Sequence, residues 1–155
     1  MRFFTPAWHR GELTEEEARG VWPAYEAHLM SLGPTLPREA YRLSKEVSLH
    51  DALIRHVVRV DGNLELLCRT GDVQEGYSDL RLSYGAATLS GQDEAFLKSA
   101  INRPDIEVLY DEFDAADGRW VHRLLFWPYR EVALYFETFH VRLTRAKGRS
   151  DPNVV

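Results

Sequence analysis

The sequence predicts an α+β fold: amino-terminal helices packed on a mostly antiparallel sheet of about six strands, open or curved into a partial barrel. Three observations predict it. Thr14 and Glu17 form a capping-box pair ahead of a helically spaced apolar run. From Val47 to Leu143, short apolar-rich runs are cut by turn residues at Asp61-Gly62, Gly71-Asp72, Asp117-Gly118 and Trp127-Pro128. The last runs are apolar on both alternating faces, so their sheet needs cover on each side, from helices, from its own curvature or from a second subunit.

The chain has 155 residues, enough for one domain with one sizeable core. We divide it into a single domain over 1–145, helical over 12–45 and sheet over 47–145 with a short helix at 92–101, followed by a flexible basic tail at 146–155. The formal net charge of -5 argues against nucleic acid as a partner, because phosphate contacts need clustered Lys and Arg. Cys68 is the one cysteine, which excludes an intramolecular disulfide and a Cys-x-x-Cys metal or redox site, and fits a reducing cytoplasm. The aromatic start Met1 to Trp8 runs into His9, Arg10 and acidic residues, unlike a secretory signal. No apolar stretch approaches the ~20 residues of a membrane helix, so a soluble protein is expected.

The first helix begins at Thr14, with Glu15, Glu16 and Glu17 at the positive end of its dipole. Ala18, Val21, Trp22, Tyr25, Leu29 and Met30 form its core-facing stripe, which Pro23 kinks or divides. Gly33-Pro34 ends it, and Pro37 opens a second helix carrying Ala40, Tyr41 and Leu43. Extended structure starts near Val47. Strict alternation puts His50, Ala52, Ile54, His56, Val58 and Val60 inward. Asp61-Gly62 turns the chain back through Leu64 to Thr70, and Tyr77 to Leu89 forms a third strand, with Leu80, Leu82 and Tyr84 on one side and a bulge at Gly85. Ile106 to Phe113, Trp120 to Trp127 and Val132 to Leu143 then read as a three-strand meander. A short loop at Asp117 puts Leu109, Asp111 and Phe113 on the face of Trp120, His122, Leu124 and Phe126. Val108, Tyr110, Val121, Leu125 and Trp127 take the other face. Beyond Leu143, Arg145, Lys147 and Arg149 read as a frayed basic end.

The opening Met1-Arg2-Phe3-Phe4-Thr5, the segment Leu49-His50-Asp51-Ala52-Leu53-Ile54 and the segment Leu109-Tyr110-Asp111-Glu112-Phe113 resemble, in order and spacing, the bacterial domain-of-unknown-function 4085 family. The resemblance spans nearly the whole chain. Ala52 stands where that pattern has a small polar residue, and Asp111 where it has Glu. The resemblance implies an α+β fold and no established activity, so it transfers no catalytic residue. Around His50-Asp51 the chain is also similar to some immunity proteins of bacterial toxin systems, which implies a protein-binding role.

Three groups of residues could carry function. His50 and Asp51 are adjacent, so on a regular strand they point to opposite faces and cannot act as a relay; the expected roles are an inward histidine and a carboxylate pairing with Arg55. His50 and His56 lie roughly 20 Å apart at ~3.3 Å per strand residue and cannot share a metal ion. The stronger candidate is the trio Asp111, His122 and Tyr135, placed as cross-strand neighbours among apolar side chains. A carboxylate on a histidine there suits a general base, and equally suits a histidine that satisfies its own hydrogen bonds. No nucleophile sits at recognisable spacing. His9, His28 and His140 are expected to be solvated, and no glycine pattern spells a nucleotide loop. No metal site and no cofactor are expected. Trp120, Trp127 and Tyr129 crowd the final hairpins and are the candidate binding residues for a protein partner or a homodimer. The favoured function is therefore a non-catalytic binding or interaction domain. The alternative is a small hydrolase-like or metal-dependent enzyme using His122 and Asp111.

Overall fold

The computed structural model describes residues 1–149 and has the α+β architecture, with the strands divided between two antiparallel sheets instead of one. In chain order the elements are α1 (Pro6–His9), α2 (Glu15–Leu32), a 3-10 turn (Gly33–Thr35), α3 (Arg38–Glu46), β1 (Leu53–Val60), β2 (Asn63–Asp72), β3 (Gly76–Gly85), α4 (Gly91–Ser99), β4 (Val108–Ala116), β5 (Arg119–Phe126), β6 (Arg130–Phe136) and β7 (Thr138–Ala146). One sheet has the order β1-β2-β3-β7 and the other β4-β5-β6. Neither closes into a barrel.

The expected third strand of the meander is the source of the difference. Val132 to Leu143 breaks at Glu137, whose backbone N–H donates to the Gly85 carbonyl at 3.0 Å. β6 stays on β5, while β7 crosses to β3 with Phe139 opposite Tyr84. A second corner joins the sheets where Ala52 bridges Val108. Between them the inward faces meet: Ile54, Leu64, Leu66, Leu80, Leu82 and Tyr84 from one sheet, and Phe113, His122, Leu124, Phe126, Val132 and Phe136 from the other, all fully or almost fully buried.

Two bulges reset the alternation expected from the sequence. Between Ile54 and His56 the register slips, so Val57 takes the core position opposite Leu66 and His56 turns outward. Between Val108 and Tyr110 a second slip puts Val108 opposite Phe126, hence on the inner face. The expected turns at Asp61-Gly62 and Asp117-Gly118 form with positive φ at both residues, 50° and 79° in the first, as a tight hairpin requires. Gly71 lies inside β2 opposite Tyr77, so the turn falls later, within Val73 to Glu75.

The helices cover what the sheets leave open. The capping box at Thr14 starts α2, which continues through Pro23 without dividing. Its buried stripe is narrower than expected: Tyr25 and Leu29 are buried, whereas Trp22 and Met30 are largely exposed. On the outer face of β4-β5-β6, Tyr25 Oη accepts from the Phe113 N–H at 2.9 Å and His28 lies 3.0 Å from Asp114. The amino terminus lies over this same face, tied to Glu112 and Glu131. Val121 and Leu125 there are completely buried. α3 lies beside the free edge of β7, where Glu39 accepts from the Val141 N–H at 2.7 Å and blunts an edge open to pairing. At the carboxyl end β7 extends to Ala146, the Gly148 carbonyl accepts from Arg69, and Arg149 pairs with Glu107. The rest of the expected tail, 150–155, lies outside the described residues. No helix among the described residues is long and apolar enough to cross a membrane.

Candidate functional site

β4 and β5 are joined by a two-residue turn, which brings Asp111 opposite Leu124 and Phe113 opposite His122. Asp111 and His122 therefore share the inner face as diagonal neighbours, and Asp111 Oδ2 lies 3.0 Å from His122 Nε2. The third residue of the expected trio is elsewhere. Tyr135 pairs with Val121, and the residue opposite His122 is Leu134, so Tyr135 is on the outer face. Its place is taken by Tyr84 from the facing sheet, whose hydroxyl is 2.8 Å from His122 Nδ1. With hydrogen on Nε2, the imidazole donates to Asp111 and accepts from Tyr84, so both ring nitrogens are satisfied. Its ring also stacks on Phe113 at 4.0 Å and 11°.

His122 is 0% exposed, so no substrate atom reaches it as the hydrolase alternative requires. Burial raises the Tyr84 hydroxyl well above its ordinary value, with Cys68 and Asp111 adding to the effect, and it remains a proton donor. The Cys68 thiol beside this core is likewise pushed up to about 12 by burial, with smaller contributions from the charges of Asp111 and Asp79, and is no nucleophile.

Asp111 itself is 16% exposed and reaches the wall of a 540 Å³ cleft. Four segments build that cleft: Phe4, the α2 residues Trp22, Tyr25 and Leu29, the end of α3 with the loop to Leu49, and Leu109 to Asp111 of β4. Phe4 is the hub of the aromatic wall, with ring centroids 4.6 Å from Trp22, 5.0 Å from Tyr25 and 5.5 Å from Tyr110. Trp22 stands half exposed at the rim. Burial raises the hydroxyl of Tyr25 above its ordinary value, with the nearby charge of Asp111 acting in the same direction.

His50 belongs to the cleft's outer edge, with Asp51 beside it, because the chain turns at Leu49 before β1 begins. Ala52 N–H returns to the Leu49 carbonyl, Asp51 adopts φ 61°, and the two side chains swing to one side, with His50 Nδ1 3.0 Å from Asp51 Oδ1. Both are exposed, so His50 is not the inward histidine expected, and Asp51 pairs with it instead of with Arg55. Of the proposed binding aromatics, Trp127 and Tyr129 meet, with ring centroids 5.1 Å apart, while Trp120 stands away from them. Trp120 and Trp127 lie seven residues apart on and just beyond β5, or about 23 Å at strand rise. Tyr129 is held by α1, its hydroxyl 3.0 Å from His9 Nδ1 and its ring under Arg10. Among the described residues no group of three or more His, Cys, Asp or Glu side chains could hold a metal ion.

The cleft is hidden from sequence reasoning because its walls are separated by up to 107 positions, from Phe4 to Asp111. One available signal is that Trp22 precedes Tyr25 by three residues on α2, at the margin of the stripe. No family model matches the chain, and neither a curated protein nor a solved structure matches it.

Proposed function

We propose that the chain is a non-catalytic binding domain and that its ligand enters the cleft between α2, the loop after α3 and the start of β4. The observation that carries this reading is the cleft itself: 540 Å³ falls within the range of small-molecule sites, and its lining sets the aromatic wall of Phe4, Trp22, Tyr25 and Tyr110 beside Asp111, with Glu26, Lys45, Glu46 and His50 also on it. Binding suits it better than catalysis, since the buried His122 orients Asp111 and offers no accessible base. The aromatic meander supports partner binding less well. Its inner face is covered by the facing sheet, and on its outer face, crossed by the amino terminus and His28, Val121 and Leu125 are fully buried, which leaves Trp127 at 45% exposure as its large exposed apolar side chain. A reducing compartment such as the cytoplasm suits the single, buried Cys68.

A fragment screen by protein-observed NMR tests the proposal on the full chain. Bound fragments are expected to shift the amides of Glu26, Val47, Leu49 and Tyr110 together. Fragments scattered over the surface, or none at millimolar concentration, would overturn it.

A further inference from the structure

Resting on that cleft reading, the geometry points to an organic ammonium ion as the ligand: a small amine whose charged head sits against Asp111 and whose apolar body lies among Phe4, Trp22 and Tyr110. Charge is the first argument. Of the other ionisable groups lining the cleft, Lys45 is taken by Glu26 at 2.8 Å, Glu46 by Arg42 at 3.0 Å and His50 by Asp51 at 3.0 Å. Asp111 has only His122 among the described residues. In the tautomer that satisfies both ring nitrogens, His122 brings a hydrogen and no charge, because its other nitrogen is occupied by the Tyr84 hydroxyl. The second carboxylate oxygen of Asp111, at the cleft wall, is left without a partner among the described residues.

The rings are the second argument. Aromatic faces carry the negative side of their quadrupole, so Trp22 and Tyr110 favour a cation over their surfaces and disfavour an anion. A neutral apolar ligand would strip water from the Asp111 carboxylate and return nothing for it. An ammonium group is matched by both features at once, and its donors fit the free oxygen. The ring contacts that hold Phe4 between Trp22 and Tyr110 fix this wall before any ligand arrives.

The test uses three probes of one shape at pH 7, followed by amide shifts in the full chain: 2-phenylethylammonium, neutral 2-phenylethanol and anionic 3-phenylpropionate. The amine is expected to bind in the cleft about tenfold tighter than the alcohol, and the acid not at all. Asp111→Asn keeps an oxygen for the His122 Nε2–H and is expected to reduce the amine to the affinity of the alcohol while leaving the alcohol unchanged. Trp22→Ala, at a half-exposed rim position, is expected to weaken the amine severalfold with the circular dichroism spectrum of the fold retained; it decides the matter if Asp111→Asn fails to fold. Equal binding of amine and alcohol, or tighter binding of the acid, overturns the ammonium assignment and leaves the cleft reading standing. The ammonium assignment falls alone, too, if none of the three binds while fragments of other chemistry occupy the cleft. Absence of any ligand from the cleft, in both this titration and the fragment screen, overturns the two together.

Discussion

Glu112 offers the sharpest quantitative test of how the amino terminus holds the fold. Its side chain is almost completely buried on the outer face of β4, and its carboxylate receives the backbone N–H groups of Arg2, Phe3 (2.9 Å) and Phe4 (3.4 Å). Arg2 is bound by one oxygen, Phe3 and Phe4 by the other. In Glu112→Gln one oxygen becomes an amide group that faces donors with a donor. A hydrogen bond to a charged group contributes about 1.5–3 kcal/mol and a neutral one about 0.5–1.5 kcal/mol, so with the amide oxygen kept on Phe3 and Phe4 those two bonds weaken by ~1 kcal/mol each and the Arg2 bond is lost. The sum is about 4 kcal/mol. The chain has a second route, lifting residues 1–4 into water, which forfeits the burial of the Phe4 side chain, about 1.5–3 kcal/mol, together with the pairing of the terminal amine with Glu131. The second route is the cheaper, and with the lost terminal pair it sets the loss at about 3 kcal/mol. Urea denaturation followed by far-ultraviolet circular dichroism is expected to show a loss of about 3 kcal/mol for Glu112→Gln, and a loss below about 1 kcal/mol for the same substitution made in a chain lacking residues 1–4. Equal losses in the two backgrounds would refute the reasoning, because the carboxylate would then act through something other than the amino-terminal backbone.

Other consequences follow from the same kind of geometry. Tyr84→Phe removes the one partner of His122 Nδ1 in a fully buried position and is expected to cost ~1–3 kcal/mol in urea, with a change in the imidazole nitrogen shifts that report the tautomer. The thiol of Cys68 is expected to resist thiol reagents at pH 8 in the native chain and to react at once in denaturant, since burial holds it near 12. The folded chain keeps that proton while the unfolded chain loses it, so the contribution is whole below the ordinary value of 9.0 and is lost as pH rises toward 12; Tyr25 and Tyr84, raised by burial from 10.0, act in the same direction, and thermal melts are expected to fall steadily above pH 9. Gly71→Ala would put a Cβ 2.1 Å from the Gly76 carbonyl oxygen at φ +101°, and about 2 kcal/mol or more of destabilisation is expected by calorimetry.

Where local chemistry decides, the fold is legible in the sequence. The Thr14–Glu17 capping box, the Asp-Gly turns and the shared face of Asp111 and His122 all follow from spacings of two to a dozen residues. The steps that depend on distant partners are not legible. Bulges at Arg55 and Leu109 carry no residue signal, yet each reverses the inward face beyond it, which is why strict alternation puts His56 inside and Val108 outside, against the structure. The run Phe136-Glu137-Thr138-Phe139 holds neither Gly nor Pro, and its break is set by Gly85, where Thr138 packs so closely that a Cβ would meet its hydroxyl at 2.0 Å. The expectation of Tyr135 beside His122 fails because the phase of β6 depends on the turn at Trp127 to Tyr129, and one residue of difference moves a side chain to the opposite face. The histidine's real partner, Tyr84, comes from the other sheet, 38 positions away.

The polar chain from Tyr84 through His122 to Asp111 is an expensive way to fill a core. A phenylalanine in place of His122 would stack on Phe113 as well and would need no partners, so packing alone does not explain an imidazole there. What the imidazole adds is direction. Tyr84 fixes one nitrogen from the β3 side, the Phe113 ring fixes the plane, and the remaining N–H then points along one line to Asp111. The position of the carboxylate is thereby set by the mutual packing of the two sheets and not by a loop. Phe113, which completes that arrangement, donates its backbone N–H to Tyr25 of α2, so the helix wall of the cleft is referenced to the same strand. A polar relay that ends in a closed core would serve satisfaction alone; this one ends at the surface of the cleft, on Asp111, and that endpoint is the physical reason to treat the buried histidine as support for a binding site.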